Sequence, residues 1–411
     1  MNRMLKPLVF FGSSLYPLYT LPWVIKYMLK NDNLGYILFS FFMGLLAYTM
    51  IPYDTMDITR HYEAFEDISK VNISEVFDYG RVFDYSFNLY MWTIHYIGLP
   101  KEFVPFSFIF IQIMFYFLSL KIVIHYSFSN REVPLWFMGL SLFLILNEIR
   151  FIGAASGLRN GLAFSIFIYA QIEYFFAHKR LKFFLLSLLS MLMHMSVIPI
   201  FFLTLIATVF RLKTIGKFLF FLSLILLMSG QGSKIFYAII HILEPFLRSV
   251  GLYFHAYMDP DGAWGTNFYA DQNMKTIILE KLIKPLPFYL AGIYLLWVKD
   301  FKNIYIQNYL YYAYIFIALV SASRTMLDRY SYYFVLFFIL FFLSEISSKG
   351  VSKLKKIFIA IFISSLLLMD AGGLAKYRDI IIYWKSFFYT PAPFLFLQDI
   401  EPKDYIHRES L

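Results

Sequence analysis

Arginines at the edges of apolar runs are the main chemical resource of this sequence. Arg150 and Arg159 stand in "NEIRFIGAASGLRN" (147–160), Arg324 and Arg329 in "SRTMLDRYSYYF" (323–334), and Arg60 in "DTMDITRHYEAF" (54–65). A guanidinium keeps its charge at any physiological pH and offers a planar fork of donors that fits a phosphate bidentately. At the centre of a bilayer it costs roughly 2.5–3.5 kcal/mol on insertion scales. Each of these residues therefore marks a water boundary or faces a polar cavity. Close to them in sequence are groups that could take a proton from a hydroxyl: Asp54, Asp57, His61 and Asp328, with His194 in "HMS" (194–196). Cations that can hold a phosphate, beside a base that can activate a hydroxyl, are the parts of a group-transfer site.

The elements that must position these residues are membrane helices. Of the 411 residues, 60% are hydrophobic and only 15% charged, against roughly 25% charge in a soluble domain. Apolar runs of about 20 residues, enough to span some 30 Å of hydrocarbon, recur along the whole chain. The expectation is an all-α, polytopic membrane helix bundle of about 10–13 spans, some short or re-entrant, forming a single domain over 1–411 with an outer-face cavity. The run from Leu8 to Tyr27 lacks a cleavage pattern and reads as a retained span.

The same composition excludes several chemistries. There is no cysteine, so thiolate nucleophiles and thiolate metal sites are out. The eight histidines show no metal-binding spacing, and no phosphate-loop or dinucleotide motif occurs. No cofactor and no metal are expected. The net charge of +9 sits mostly in short loops, as orientation signals do, and nucleic-acid binding is not needed to explain it.

Basic loops set the orientation. "HKRLK" (178–182), "RLKTIGK" (211–217), "KDFK" (299–302) and "SKGVSKLKK" (348–356) should be cytoplasmic. Between the first two, the spacing predicts a pair of short helices, 183–195 and 197–210, turning at His194–Ser196 near the outer face. Alternation then makes 147–159, 230–275 and 323–329 outside. The acid-rich stretch 53–84 is then outside, in an outer loop over 53–102 in which Tyr85–Leu99 is re-entrant or interfacial. This placement leaves Arg3 and Lys6 outside, against the charge bias.

On this map Asp54, Asp57, Arg60, His61, Tyr62, Arg150, Arg159, His194, Arg324, Asp328, Arg329 and Tyr330 share one face. Each also has a structural reading. Arg159 could be a snorkelling anchor, Arg150 an ion-pair partner of Glu148, and His194 an interhelical hydrogen-bonder. Asp328 and Arg329 could bracket a span end, and Arg60 could pair in solvent with Asp57 or Glu63. Their joint occurrence on one face favours a site. The aromatic loop 253–273, with Tyr253, Tyr257 and Trp264, could cap a glycan groove or lie as an interfacial lid.

Three stretches carry a family resemblance: "DITRHYEAF" (57–65), the run from Gly157 to Ile200 that opens "GLRNGLAF" and closes "HMSVIPI", and "DRYSYYFVLF" (328–337). In order and spacing they resemble the EpsG/Wzy group of bacterial polysaccharide polymerases, with Asn160 where the family usually has Gln. Whether Asp54 or Asp57 is the counterpart of the family's loop aspartate stays open. The resemblance implies a glycosyltransferase of the bacterial inner membrane with its site facing the periplasm. It would join oligosaccharide repeat units, with an undecaprenyl-pyrophosphate-linked chain as donor and a lipid-linked unit as acceptor, alongside a chain-length co-polymerase. Arg159, helped by Arg329 and Arg150, would hold the donor pyrophosphate. Asp57 or His194 would orient or deprotonate the acceptor hydroxyl. Arg60, Tyr62, Asn160, Arg324 and Tyr330 would contact substrate. The competing readings are a polyprenyl-phosphate-sugar glycosyltransferase, an O-antigen ligase, and a flippase of lipid-linked oligosaccharide.

Overall fold

A computed structural model describes residues 5–77, 85–129, 131–210, 214–229, 273–297, 301, 303–321, 323–349, 351–376, 381–382, 384–397 and 400–407, with 238, 241–242 and 245 as isolated positions. The architecture is the expected all-α, polytopic membrane helix bundle. Among the described residues two helices are by themselves long and apolar enough to cross a bilayer, Phe103–Phe128 and Arg324–Ser347, and several shorter apolar helices accompany them. The chain divides into two compact units. The first comprises Met1–Phe143, Ile149–Val197 and Lys376–Leu411; the second comprises Leu144–Glu148 and Ile198–Ala375.

The first unit opens with α1 (Leu5–Leu15) and α2 (Pro17–Leu29). These correct the single span expected over Leu8–Tyr27. Pro17 ends the first helix, because it offers no N–H and disfavours helix at the residue before it. The two helices then fold back on each other. Ser13 and Thr20 hydroxyls meet at 2.6 Å, and Lys6, at the start of α1, pairs with Asp32, beyond the end of α2, at 2.5 Å. Lys6 therefore lies at the same end as Lys26 and Lys30, and its conflict with the charge bias disappears.

The rest of the unit is built on α3 (Asn33–Tyr48), α6 (Phe103–Phe128), α9 (Leu158–Phe175) and α10 (Arg180–Met193), packed in that order. Nearly every residue of α9 is buried. Small residues permit this, since packing between membrane helices depends on close backbone approach. A Cβ on Gly161 would come within 2.7 Å of Gln112 Oε1 on α6. On the opposite side Ser190 Oγ of α10 donates to the Ala163 carbonyl at 2.6 Å. The other face of α10 exposes Leu181, Leu185, Leu188 and Leu192, a stripe at helical spacing that suits contact with lipid.

Shorter helices complete this unit: α4 (Asp57–Ile68), α5 (Tyr85–Tyr96), the first part of α7 (Leu135–Glu148), and α8 (Phe151–Ser156). The twelve residues of α5 extend only about 18 Å. The last residues of the chain also return here. Strand β1 (Met50–Ile51) pairs antiparallel with β2 (Ile381–Ile382). Phe387, Ala392 and Leu395 enter the core beside Phe42, Leu45 and Tyr48. The Tyr48 hydroxyl donates to the Phe396 carbonyl at 2.8 Å, and the Ile400 N–H donates to Glu102 Oε1 at 2.9 Å.

The second unit contains α11 (Val197–Val209), α12 (Thr214–Ser229), α13 (Met274–Ile278, continuing as a π-turn over Leu279–Ile283), α14 (Leu286–Trp297), α15 (Ile304–Val320), α16 (Arg324–Lys349) and α17 (Lys353–Lys376). The helix pair expected over 183–195 and 197–210 forms as α10 and α11. Aromatic rings fill the second core. Phe288 stacks on Tyr314 at 4.3 Å, and the absence of a side chain at Gly292 leaves room for the Tyr314 ring, which a Cβ there would approach to 2.6 Å.

The cysteine-free sequence makes the helical hairpin testable. Single cysteines placed at Leu5 and at Asn31 are expected to react with a membrane-impermeant maleimide from the same side of the membrane. Labelling from opposite sides would show that residues 8–27 cross it.

Candidate functional site

In the first unit the site residues come from three elements. Helix α4 is amphipathic: Ile58, His61, Tyr62, Phe65 and Ile68 are buried at helical spacing, while Arg60, Glu63 and Glu66 are exposed. Asp57 occupies its first turn, where a carboxylate is favoured by the helix dipole. Arg60 reaches back to Asp57 at 3.3 Å in a pair open to solvent on both sides, worth less than about 1 kcal/mol. Both side chains are therefore cheap to redirect. Tyr62 lies differently. Its ring is fully covered under the Lys101 ammonium, 5.9 Å from the centroid, and its hydroxyl has no hydrogen-bond partner among the described residues. Burial, reinforced by nearby Glu102, pushes its phenol well above the usual range. Tyr62 thus lies on the buried side of α4, opposite the exposed Arg60 and Glu63.

Arg159 is the second residue of α9, preceded by Gly157 and by the short helix α8. Leu158, Leu162 and Ile166 anchor this end of α9 in a cluster with Phe65, Phe87 and Phe108. From that anchorage the guanidinium lies over the Phe87 ring, 5.4 Å from its centroid, a cation–π arrangement. His61 packs edge-on against the same ring at 4.9 Å. It is 9% exposed. Burial, with Arg159 and Arg60 adding repulsion, lowers its pKa to about 3. A cation at a helix N-terminus opposes the macrodipole by about 0.3–1 kcal/mol. That cost turns into an advantage when an anion docks there, since guanidinium and helix end then attract it together.

Asn160, one residue on, joins a short chain of hydrogen bonds. Ser196 Oγ donates to Asn160 Oδ1 at 2.8 Å and lies 2.9 Å from His194 Nδ1. The Ser196 backbone N–H also donates to His194 Nδ1 at 3.1 Å. A backbone N–H can only donate, so Nδ1 is unprotonated and the neutral ring carries its proton on Nε2. His194 is thereby oriented by the turn it sits in and tied to the turn that carries Arg159. Arg150 precedes α8 and is half-buried.

The second unit holds the other group of predicted residues. Arg324 opens α16 and grips Glu280 of the π-turn with two contacts, Nη2 to Oε1 at 2.6 Å and Nε to Oε2 at 3.2 Å. Lys284 bonds both Glu280, at 3.2 Å, and Asp328. This four-membered network braces α13 against α16. Arg329 is half-buried, and Tyr330 is buried edge-on to Phe316 at 5.1 Å. Tyr253, Tyr257 and Trp264 lie outside the described residues.

The structure thus joins Asn160 to His194 through Ser196, sets Arg159 and His61 on the Phe87 ring, and joins Arg324 to Asp328 through Glu280 and Lys284. A family model for the EpsG family matches residues 14–378. This chain belongs to the EpsG family. No curated protein and no solved structure matches it. EpsG membership supports a polysaccharide-polymerase type of role at a membrane. The family match ends at residue 378, before β2 and the helices that return to β1, so in this EpsG protein that returning segment lies outside the shared region.

Sequence reasoning missed Phe87, Glu280 and Lys284. Phe87 carries no charge or motif, and Glu280 and Lys284 are separated from Arg324 by two helices. Replacing Glu280 by Ala leaves Arg324 and Lys284 facing each other without their shared carboxylate. The expected result is a loss of about 3 kcal/mol, seen as a lower midpoint in thermal unfolding of the detergent-solubilised protein. An unchanged midpoint would show that the network does not brace the unit.

Proposed function

We propose that this EpsG protein is a polymerase that joins oligosaccharide repeat units carried on undecaprenyl pyrophosphate, at the periplasmic face of the inner membrane. What carries the reading is the position of Arg159: a permanent cation at a helix N-terminus, one residue from the Asn160–Ser196–His194 chain. Such an arrangement suits a dianionic diphosphate at the guanidinium and a sugar beside the histidine.

In this reaction the acceptor hydroxyl oxygen bonds to the anomeric carbon of the donor chain. The bond from that carbon to the diphosphate breaks, and the lipid diphosphate leaves with the bonding pair. Negative charge grows on the leaving oxygen, where Arg159 stabilises it most in the transition state. The half-buried Arg150 is proposed as a further phosphate contact in the first unit. The hydroxyl proton must go to a base. The Nδ1 lone pair of His194 is already used by the Ser196 N–H, which supports an orienting role for His194 through its Nε2–H. Asp57, a carboxylate in a weak and exposed pair, is the proposed base, and Arg60 would swing from it toward the glycan. Arg329 and Tyr330 are proposed substrate contacts of the second unit. Arg324, engaged by Glu280, would act on substrate through the position of α16.

The test is the surface polysaccharide of a deletion strain complemented with equal levels of each variant. Wild type should restore a ladder of polymer lengths, and Arg159→Ala should leave single repeat units. Arg159→Lys keeps the charge but loses the fork, a loss of about 1.5–3 kcal/mol, and should lower polymer yield about 10- to 100-fold. A full ladder from Arg159→Lys would refute the bidentate clamp. A deletion strain lacking even single units at its surface would place the protein earlier, in unit assembly or transport.

A further inference from the structure

His61 has no role in the reaction outlined above, yet its surroundings are unusual. It lies on the buried stripe of α4, where an apolar residue would satisfy the amphipathic pattern. Its ring is nine-tenths buried, and among the described residues neither ring nitrogen forms a hydrogen bond. An imidazole nitrogen that keeps contact with solvent and has no protein partner is available to a ligand. The neighbouring Tyr62 hydroxyl is enclosed on all sides, whereas His61 keeps an accessible edge.

Among the described residues the charges that act on it are all of one sign. Arg159 of α9 shares the Phe87 ring with it, and Arg60 comes from its own helix. From α5 it meets Phe87, while His95 of that helix turns to Phe65 at 5.7 Å. Helix α8, which also packs on α4, carries no ionisable side chain. Among the described residues no carboxylate acts on the imidazole.

We infer that His61 is the second arm of an anion site shared with Arg159, contacting the sugar-linked diphosphate and taking up a proton as that diphosphate binds. The inference rests on the lipid-diphosphate reading of Arg159 and names a further residue for it. In the free protein burial and two guanidinium charges hold the ring neutral. A dianion at Arg159 reverses the local field, so the same ring becomes easier to protonate. The imidazolium then donates to a phosphate oxygen through an N–H that is otherwise unpaired. The proton comes from solvent on binding and returns to solvent when the lipid diphosphate departs, so none is consumed over a cycle.

The sign follows from linkage. The ring is neutral in the free protein down to about pH 3, and its pKa is higher in the complex. Between those two values binding takes up a proton, so affinity rises as pH falls, by at most about tenfold per unit. Above the pKa of the complex the dependence vanishes.

The experiment is calorimetric titration of the full-length protein in lipid nanodiscs with a short-chain prenyl diphosphate monosaccharide. Its doubly esterified diphosphate has no ionisation near neutral pH, unlike a phosphate monoester at about 6. Wild type should bind more tightly on going from pH 8 to pH 5, by up to about tenfold for each unit. Titrations in buffers of different ionisation enthalpy should show proton uptake on binding. That readout needs no variant and so does not depend on a substitution folding. His61→Gln should bind more weakly at the acid end and lose the slope. Equal slopes in wild type and His61→Gln, or no proton uptake by wild type, would overturn the inference while a polymer ladder in the complemented strain still upheld the polymerase reading. No binding by wild type, together with no ladder, would overturn both.

Discussion

The close packing of α9 between α6 and α10 is the constraint on which the rest of this structure depends. A helix buried on all sides in an apolar chain can carry polar residues only at its ends or against a partner. At one end of α9 stand Arg159 and Asn160. Toward the other, buried Glu173 pairs with Lys182 at 2.5 Å and Lys179 at 3.2 Å, and Tyr169 adds a hydrogen bond at 2.8 Å. Because Gly161 and Ala163 let the neighbouring helices approach so closely, α9 cannot slide or rotate without losing both sets of contacts. The candidate site is therefore held by a rigid element rather than by a loop, which is what orientation of reacting groups requires.

Much of the first unit was legible because it follows from solvent and period alone. The apolar runs gave helices, and the basic loops together with "HMS" gave the turn between α10 and α11. The helix over 57–68 was not legible, because the stretch reads whole as part of an outer loop; its amphipathic period emerges only with α4 itself. What was hidden is pairwise. Lys179 and Lys182 read as orientation signals, but they also neutralise Glu173, and no pattern in the sequence announces that partnership. The Leu8–Tyr27 run has the length of a span, and only the contacts of Ser13 with Thr20 and of Lys6 with Asp32 reveal the fold-back at Pro17. Of the candidate site, residue types showed which groups could hold a phosphate. They could not show that Phe87 is the surface on which Arg159 and His61 meet, nor that Arg324 is spoken for by Glu280.

The charged residues divide by how freely they can respond to a ligand. The Arg60–Asp57 pair is exposed and weak, and its partners can separate at little cost. The Glu280 network is largely buried, and its members are committed to one another. Arg159 is seated on an aromatic face, the Phe87 ring, at the first turn of a buried helix. Catalysis by electrostatic stabilisation needs charge preorganised on a rigid element in this way.

The return of the C-terminal segment to β1 carries a consequence in time. The Tyr48 hydroxyl reaches Phe396 across a separation of 348 residues, and Asp54 donates its backbone N–H to the Ile406 carbonyl at 3.2 Å while its carboxylate lies 3.2 Å from His407 Nδ1. The ribosome makes these residues hundreds of positions after the loop they clasp. Helices α3 to α10 can insert and pack as they emerge, but the loop that leads into Asp57 acquires its clasp only when the last strand and helices arrive. Biogenesis therefore has an order written into it, with the helix framework first and the closure of the α4 entrance last. An early release of the nascent chain would yield an inserted protein whose candidate site was never fastened.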